Sequence, residues 1–598
     1  MQFNINFPVW FRLTFIFFTI QFLVRLGFAF EELNLLGLMY GVCWDLWVWL
    51  FLSIPIFIIS PLIKNKIETA LTYVFSFSIV YIGICEIIFW NEFHSRFNFI
   101  AVDYLIYTRE VVSNLKESYP VGTLITALLS LSAVMTWISS KIKFEKFIVK
   151  PKTLITLPIL HLFFWFILIP WLNSHEDDFR ADQVARNGIV EFIRAFKNNE
   201  IDYKAFYPSL PDDEAEKIIH REATLEKANI IPDGVKPNVV MIVVESLGAK
   251  FIGPLKGNPE ATPFLNKLTD QSIFFENLYA TGTRTVRGLE ALNLSIPPTP
   301  GYAVVKRPDH KSLFSLGNTF LSNGYRPTFL YGGNGFFDNM NSFFSGNGFE
   351  VVDELDFEKT EKTFSNAWGV CDEDMFNKAK QIAKKQSKEK NPFLLFMLTT
   401  SNHRPFTYPE GKIDIPSGTS RLGAVKYTDY AIGKFLEDVK SEDWFKNTVF
   451  VIVADHSTEG RGHYELEMSD FHIPLWIYSP HLIRPQVVKK LGSQIDLLPT
   501  LIHLLNLKDN SPFFGKSFFD PNWQEERAFV GNYQYVGYYK DQVLTTLGPN
   551  KKIHNFSYDP ETREQKSFDK APFINEAISF YQVASGKLKN GKYKITSK

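Results

Sequence analysis

The stretch Phe450-Val-Ile-Val-Ala-Asp455-His456 decides the fold, together with Asn238-Val-Val-Met-Ile-Val-Val-Glu245 earlier in the chain. Each is a run of residues that favour β-strands, and each ends in an acidic residue or an imidazole. In an open α/β sheet, ligands bind at the carboxyl ends of the strands. The sequence therefore predicts that Glu245, Asp455 and His456 lie at one sheet edge, where they can share a divalent metal ion. The alternative is a polar corner whose groups satisfy one another.

From Lys236 onward, short apolar runs alternate with longer helical stretches, which is typical of an α/β domain with a mostly parallel central sheet. We therefore expect an α/β domain over residues 237–598. Asp496–Leu505 is predicted to form a late helix. The predicted core strands are apolar without alternation, as expected for strands covered on both faces; they are Val239–Val244, Arg326–Leu330, Phe393–Leu398 and Thr448–Ala454.

The first third of the chain is too apolar for a soluble domain, and a membrane-spanning helix needs about 20 apolar residues. Residues 1–172 are therefore predicted to form a domain of five transmembrane helices. Because four further spans follow the first, the first is not expected to be a cleavable signal peptide. The five predicted spans are Phe7–Phe30, Leu38–Ile59, Ala70–Trp90, Val121–Ser140 and Leu154–Leu172.

The charges of the short loops predict the orientation of these spans. Lys64 and Lys66 follow the second span, several lysines lie between the fourth and fifth, and the acidic Glu31 and Glu32 follow the first. Basic loops stay in the cytoplasm. The N-terminus is therefore predicted to be cytoplasmic and everything after Leu172 extracytoplasmic.

Residues 173–236 are predicted to be a helical linker, with helices over Ala181–Asn198 and Asp212–Lys227. In the spans themselves, the ionisable residues Arg25, Asp45 and Glu86 are expected near the outer ends. They are interpreted either as a structural ion pair or as groups that pass a lipid headgroup to the outer domain.

The overall composition excludes some classes of function. With a formal net charge of −1, the chain lacks the excess positive charge that binds nucleic acid, so no nucleic-acid partner is expected. Cys371 is the single cysteine after the predicted spans, so no disulfide framework can form in the outer domain.

Three further segments carry residues suited to chemistry. The turn Thr281-Gly-Thr-Arg-Thr285 runs into a helix-like segment, where a hydroxyl near a metal ion can act as a nucleophile. The same threonine can be a plain N-cap, and local chemistry does not distinguish Thr281, Thr283 and Thr285.

His403 and Arg404 follow a predicted strand and suit phosphate binding or proton transfer. Each can instead be a structural residue of the strand end. His472 precedes the strand-like Ile-Pro-Leu-Trp-Ile-Tyr, and it is predicted, with less weight on His463, to be a further ligand or a phosphate contact.

Taken in order, these motifs resemble the lipoteichoic acid synthase and periplasmic-glucan phosphoglycerol transferase family, in the sulfatase-like branch of the alkaline phosphatase superfamily. The predicted five-span anchor with an outer domain is similar too. The resemblance is carried by strand–Glu245, Gly-Thr-Arg-Thr285, Ser-Asn-His403-Arg-Pro-Phe, Ala-Asp455-His456 and Asp496-Leu-Leu-Pro-Thr.

The resemblance implies roles for these residues. Thr285 would be the nucleophile, and Glu245, Asp455 and His456 would join it as ligands of a divalent metal. Mn²⁺ is usual in the family, with Zn²⁺ or Mg²⁺ as alternatives. His403 would contact the substrate and assist proton transfer. Arg404 and His472 are predicted, from their places beside strands, to bind substrate.

The sequence also departs from the family's lipoteichoic acid synthases. Two positions in the segment Tyr331–Met340 differ. Where those synthases carry a Trp, this chain has Asp338, and where they carry a headgroup-binding Arg, it has Met340. The selection of glycerol phosphate is therefore in question. Asp338 and Trp368 are predicted to line the substrate pocket. The nucleophile motif of true sulfatases is missing, since Ser295-Ile-Pro-Pro-Thr299 ends in Thr where Arg is required.

By resemblance, the expected function is transfer of a phosphoglycerol headgroup from a phosphatidylglycerol-like lipid to a cell-envelope glycan or glycolipid. The expected location is the bacterial inner membrane, with the catalytic domain periplasmic. A phosphoethanolamine transferase is one alternative, although the single outer cysteine argues against it. The others are a phosphate or sulfate ester hydrolase and a lipid-binding pseudoenzyme.

Overall fold

A computed structural model describes residues 8–31, 35–59, 65–93, 95–98, 119–142, 179–197, 203–219, 230–232, 234–457 and 464–595, with isolated positions between these ranges. The chain forms two compact units. The first comprises Met1–Thr108, Tyr119–Asn199 and His463–Glu465, and the second comprises the remaining residues.

The first unit is a bundle of apolar helices. Its four long helices are each long and apolar enough to cross a membrane, and they correspond to the first four predicted spans. The fifth predicted span, Leu154–Leu172, lies outside the described residues apart from isolated positions. The described helices of this unit are α1 (Pro8–Glu31), α2 (Leu35–Ile59), α3 (Asn65–Phe93), α4 (Val121–Lys141), α5 (Phe179–Ala185) and α6 (Gly188–Lys197).

Buried ion pairs hold the bundle to the segment that follows it. Arg25 pairs with Asp45 at 2.5 Å, and its guanidinium also donates to the carbonyls of Val184 and Ala185 at the end of α5. Glu86 accepts from Arg96 through both carboxylate oxygens, each at 3.0 Å. Charges are tolerated inside a protein when they are paired and hydrogen-bonded. These contacts show an ion pair; passage of a lipid headgroup stays a prediction.

The second unit is built on a nine-stranded mixed sheet that also places the chemically interesting residues. β1 lies at its centre with all residues buried, and a separate two-stranded sheet is formed by β5 and β6. The strands are β1 (Asn238–Val244), β2 (Ile273–Tyr279), β3 (Arg326–Tyr331), β4 (Glu350–Val352), β5 (Ser365–Asn366), β6 (Gly369–Val370), β7 (Phe393–Leu398), β8 (Thr448–Ala454), β9 (His472–Tyr478), β10 (Gln486–Val488) and β11 (Gly492–Ser493).

The strand order is β10-β2-β9-β8-β1-β7-β3-β4, and β11 also pairs with β2. β8, β1, β7, β3 and β4 run parallel, whereas β9 is antiparallel to both of its neighbours. The carboxyl ends of β8, β1 and β7 therefore meet at one sheet edge, as an α/β domain requires for a ligand site.

A second, antiparallel sheet follows toward the C-terminus, with α16 packed against it. Its strands are β12 (Ala528–Gly531), β13 (Val536–Lys540), β14 (Val543–Leu547), β15 (Ile553–Asp559) and β16 (Glu564–Ser567). The described α-helices of this unit are α7 (Tyr203–Phe206), α8 (Asp212–Ile219), α9 (Pro263–Leu268), α10 (Thr285–Leu294), α11 (Leu316–Ser322), α12 (Met340–Ser345), α13 (Asp372–Gln386), α14 (Arg421–Val439), α15 (Leu497–Leu504) and α16 (Ile574–Lys589).

The predicted fold class, an apolar helical domain followed by an α/β domain, is confirmed. The four predicted core strands coincide with β1, β3, β7 and β8, and the predicted late helix is α15. The linker differs from its prediction: the single helix expected over Ala181–Asn198 is two helices, α5 and α6. Of the helix expected over Asp212–Lys227, the structure describes α8, and residues 220–229 lie outside the described part.

Candidate active site

Three buried groups meet where β1 and β8 end. The two strands pair in parallel with Val244 opposite Ala454, so the next residues, Glu245 and Asp455, emerge side by side. His456 follows directly. One ligand atom from each of Glu245, Asp455 and His456 lies within 4.8 Å of the others, a spacing that a single metal ion could share. We call these three residues the ligand group.

Hydrogen bonds from the surrounding loops fix the ligand group. The backbone N–H of Glu245 donates to Thr399 Oγ1 at 2.9 Å, and Asn402 Nδ2 donates to the Glu245 carbonyl at 2.8 Å. Asp455 Oδ1 accepts from the backbone N–H groups of Ser246 (2.8 Å) and His456 (2.7 Å). Both strand ends are therefore held by their backbones as well as by their side chains.

The second oxygen of Asp455 is available to a cation. Asp455 Oδ2 is buried and has no hydrogen-bond partner among the described residues. A buried carboxylate oxygen without a donor is costly unless a cation faces it. Two carboxylates and an imidazole form a donor set that suits a divalent ion such as Mn²⁺ or Zn²⁺, so the residues present fit a metal.

The electrostatics of the ligand group agree with this fit. Burial disfavours the Glu245 carboxylate, but His403 and His456 outweigh it and hold its pKa well below the usual range. Burial and the neighbouring Glu245 charge raise the pKa of Asp455 well above its ordinary value. Burial disfavours the His456 imidazolium, yet Asp455 and Glu245 raise its pKa. A divalent cation would relieve the repulsion between the two carboxylates.

Thr285 brings a hydroxyl to the ligand group. It is the first residue of α10, it is half-buried, and its Oγ1 donates to Glu245 Oε2 at 3.1 Å. Its position at a helix N-terminus places it in a positive field. Thr281, by contrast, is fully buried, with its hydroxyl between the Arg287 carbonyl (3.2 Å) and Gln494 Oε1 (3.3 Å). Of the threonines in this turn, Thr285 is therefore the one with a described contact to the ligand group.

His403 approaches from β7, the other neighbour of β1. Its Nε2 lies 3.4 Å from Glu245 Oε1, and 24% of its side chain remains exposed. The ring of Trp368 stacks on it, with 4.0 Å between centroids and 15° between planes. Burial among its neighbours, reinforced by Arg421 and opposed by Glu245, lowers the pKa of His403. The lowered pKa favours the neutral form of the imidazole, which is the form that accepts a proton.

Arg404 and Asp338, both predicted to bind substrate, lie close to the Trp368–His403 stack. Trp368 Nε1 donates to the Arg404 carbonyl at 2.6 Å. Phe337, next to Asp338, meets the Trp368 ring edge-on at 5.6 Å. Asp338 itself is paired with the buried Lys306 at 3.2 Å. Substrate contact by these residues stays a prediction.

Met340, in the same segment as Asp338, is buried. The predicted His472 does not join the ligand group. His472 Nε2 lies 2.7 Å from the Glu276 carbonyl, and its ring stacks on Tyr279 at 5.1 Å. Burial lowers the pKa of His472 to about 4. Its described contacts are with the fold, and none of them involves Glu245, Asp455 or His456; its role in substrate binding stays a prediction. His463 lies outside the described residues.

Several residues that support the site were not predicted. Asn402 and Ser246 are next to predicted residues, so position in the sequence could have suggested them. Gln494 lies far from the ligand group in the chain, and nothing in its local sequence marks it. Arg421 and Arg284 add positive charge near His403, but a single arginine at a helix start carries no specific signal.

Comparison with known proteins places this site in a family. The Sulfatase family profile matches residues 237–507. A solved structure of a protein in the alkaline phosphatase superfamily from Vibrio parahaemolyticus is 33% identical, with a TM-score of 0.62, and covers 66% of this chain and 100% of that one. The chain belongs to the alkaline phosphatase superfamily. The resemblance seen in the motifs is thereby confirmed.

Curated relatives within the superfamily match the same region. Lipoteichoic acid synthase 2 of Bacillus subtilis is 25% identical over 297 residues, covering 45% of each chain. Phosphoglycerol transferase I of Xanthomonas axonopodis pv. citri is 26% identical over 331 residues, covering 51% of this chain and 47% of the relative. The chain thus spans about half the length of the curated relatives it matches.

Proposed function

We propose that this superfamily member is a membrane-bound, metal-dependent phosphoglycerol transferase. It would take the headgroup phosphate of a phosphatidylglycerol-like lipid and transfer it to a cell-envelope glycan or glycolipid. The observation that carries the proposal is the hydrogen bond from Thr285 Oγ1 to Glu245 Oε2, because it brings the hydroxyl proposed as nucleophile against the ligand group. The names of the two curated relatives support phosphoglycerol as the group transferred.

Glu245, Asp455, His456 and Thr285 would hold the divalent metal, with Mn²⁺ proposed and Zn²⁺ or Mg²⁺ as alternatives. When bound, such an ion would make the Thr285 hydroxyl more acidic and offset negative charge on the phosphoryl oxygens.

The reaction would then proceed as two successive displacements at phosphorus. Thr285 Oγ1 attacks phosphorus, the bond from phosphorus to the diacylglycerol oxygen breaks, and the hydroxyl proton passes to that oxygen. The product is a phosphothreonine that carries glycerol. An acceptor hydroxyl then attacks the phosphothreonine, and its proton returns to Thr285.

His403 Nε2 lies 3.4 Å from Glu245 Oε1, and this imidazole suits the role of proton carrier in both displacements. Arg404 and Arg421 each lie over the ring of Phe406, at 5.7 and 5.2 Å. Their charges would favour a substrate that carries a phosphate.

The proposed location is the bacterial inner membrane, with the N-terminus cytoplasmic and the catalytic domain periplasmic. The four apolar helices support a membrane protein, and the basic loops after the second and fourth predicted spans support this orientation. In this topology the catalytic domain lies on the periplasmic side, where the lipid headgroups of the outer leaflet are exposed.

The experiment is incubation of purified full-length protein with Mn²⁺ and lipid vesicles that contain headgroup-labelled phosphatidylglycerol or phosphatidylethanolamine. We expect release of diacylglycerol from phosphatidylglycerol and a labelled phosphopeptide that contains Thr285. Chelation with EDTA should stop both, and added Mn²⁺ should restore them. Thr283→Ala, in the same turn, is the matched control for Thr285→Ala.

Full activity of a Thr285→Ala variant would contradict this mechanism. Labelling from phosphatidylethanolamine alone would favour a phosphoethanolamine transferase, and transfer to water alone would favour a phosphodiesterase.

A further inference from the structure

The side chain of Gln494 is fully buried beside the ligand group and uses both ends of its amide. Its Nε2 donates to two consecutive backbone carbonyls, those of Ala454 (2.8 Å) and Asp455 (2.6 Å). Its Oε1 accepts from the backbone N–H of Thr281 at 3.0 Å. An amide is the side-chain group that can donate to two carbonyls and accept from an N–H at the same time.

These bonds connect two segments with different tasks. Ala454 and Asp455 are the end of β8, which carries a carboxylate and the imidazole of the ligand group. Thr281 begins the turn that leads into α10 and Thr285. Its hydroxyl also lies 3.2 Å from the Arg287 carbonyl in the first turn of α10. Gln494 therefore spans the gap between the ligand-bearing strand and the hydroxyl-bearing helix.

The segment that carries Gln494 is held by a buried ion pair. Asp496, two residues later, accepts from the two terminal guanidinium nitrogens of Arg527, at 2.8 and 2.9 Å, and both residues are buried. The Asp496 carboxylate also accepts the backbone N–H groups of Ser493 (2.8 Å) and Lys516 (2.7 Å). A buried two-point Arg–carboxylate pair fixes geometry as well as adding energy. Asp496 thereby fixes the backbone two residues after Gln494.

We propose that Gln494 is a positioning residue that sets the separation of Thr285 from the ligand group. The inference rests on the proposed function for its kinetic consequence, but its structural part concerns metal binding and can be tested separately. Groups that orient metal ligands typically change metal affinity by about 10- to 100-fold when removed.

The decisive variant is Gln494→Met, which keeps the length of the side chain and removes all of its hydrogen bonds. Gln582 offers a matched control, because it is also buried and its amide makes three bonds, to Leu210 N (2.9 Å), Leu210 O (2.8 Å) and Asp212 Oδ1 (2.7 Å). Gln582 lies on α16 and has no described contact with the ligand group. Both substitutions should lower the melting temperature to a similar degree.

The measurements on full-length protein are Mn²⁺ affinity, by calorimetry after removal of bound metal, and kcat and KM for phosphatidylglycerol. We expect Gln494→Met to weaken Mn²⁺ binding about tenfold and to lower kcat by about 10- to 100-fold with little change in KM. Gln582→Met should leave all three near the wild-type values. Gln494→Glu should not rescue, because a carboxylate cannot donate to the two carbonyls.

The two proposals fail differently. If the wild type binds Mn²⁺ but transfers no headgroup, the proposed function is wrong, and the affinities of the two variants still decide the role of Gln494. The inference is overturned if Gln494→Met and Gln582→Met bind Mn²⁺ equally well, or if the wild type binds no Mn²⁺.

Discussion

The α-carbon of Gly288 lies against the backbone carbonyl of Asp455: a β-carbon placed on Gly288 would be 2.1 Å from that oxygen. The first turn of α10 and the end of β8 can approach this closely because Gly288 has no side chain. Thr285 lies one turn earlier on the same face of the helix as Gly288. The absence of a side chain at Gly288 therefore allows the hydroxyl to come this near to the ligand group.

We expect Gly288→Ala to inactivate the protein, because the helix must shift to relieve the clash. A displacement of about 1 Å at a reacting group can reduce the rate about 100-fold. Gly586→Ala is the matched control: Gly586 is also in a helix, and nothing lies within 4 Å of the position of its β-carbon. Transfer assays and melting temperatures on both variants test this. Wild-type activity of Gly288→Ala would show that the close contact has no part in positioning Thr285.

The stacking of Trp368 on His403 predicts a second effect. Aromatic stacking of this kind is worth about 0.5–1.5 kcal/mol, so Trp368→Ala should lower kcat by roughly three- to tenfold by releasing the imidazole. Trp368→Phe keeps a ring in place and should recover most of the loss. The measurement is kcat for headgroup transfer by the two variants. Equal losses in both would mean that the indole N–H bond to the Arg404 carbonyl matters more than the stack.

Asp429 predicts a pH dependence of stability. Burial raises its pKa to about 7, although its oxygens accept the backbone N–H groups of Phe264 and Leu265, each at 2.8 Å. The native state therefore binds a proton more readily than the unfolded chain, in which the pKa of aspartate is about 3.9. The stability from this group is fully present below about pH 4 and is lost as the pH rises through 7.

The measurement is the difference in melting temperature between the wild type and Asp429→Asn at several pH values. Because asparagine does not titrate, the free energy of unfolding of the wild type should fall relative to that of Asp429→Asn between pH 5 and pH 8. The fall should be on the order of a few kcal/mol, and it should appear as a smaller difference in melting temperature. A difference that stays constant over this range would show that the carboxyl of Asp429 does not titrate there.

The buried pair of Arg25 and Asp45 predicts a fourth result. Arg25→Leu leaves the Asp45 carboxylate buried without its partner, which typically costs about 3–5 kcal/mol. We expect the variant to yield much less folded protein in detergent, as judged by size-exclusion chromatography and thermal unfolding. The double variant Arg25→Leu/Asp45→Leu removes both charges and should recover part of the loss. If the double variant is no better than the single one, the bonds from Arg25 to the end of α5 contribute more than the charge pair.

The core strands could be predicted because each is marked by its own run of residues in the sequence. β1, β7 and β8 are covered on both faces, so each is a continuous apolar run, and the change to Glu245 or Asp455-His456 marks where it ends. The fold class and the ligand group follow from this pattern. Gln494 could not be predicted in this way, because its role depends on hydrogen bonds to residues that are distant in the chain.

The linker shows the same limit. A continuous apolar spacing over Ala181–Asn198 predicted one helix, but Asn187 divides it by accepting the backbone N–H of Ile189 at 3.0 Å. The same side chain donates to Asp45 in α2 at 2.8 Å. A tertiary contact therefore places the break, and the periodicity of the segment does not record that contact.

The sheet order also governs when the ligand group can exist. Glu245 follows β1, the first strand of the domain in the chain, whereas Asp455 and His456 follow β8, which pairs with β1 only after six further strands have been made. Contacts between such distant segments form late, because a long loop must close first. A nascent chain that has grown as far as β7 carries one ligand of the three. Metal capture thus requires β8 to have paired with β1, and a bound ion would report that these two strands are joined.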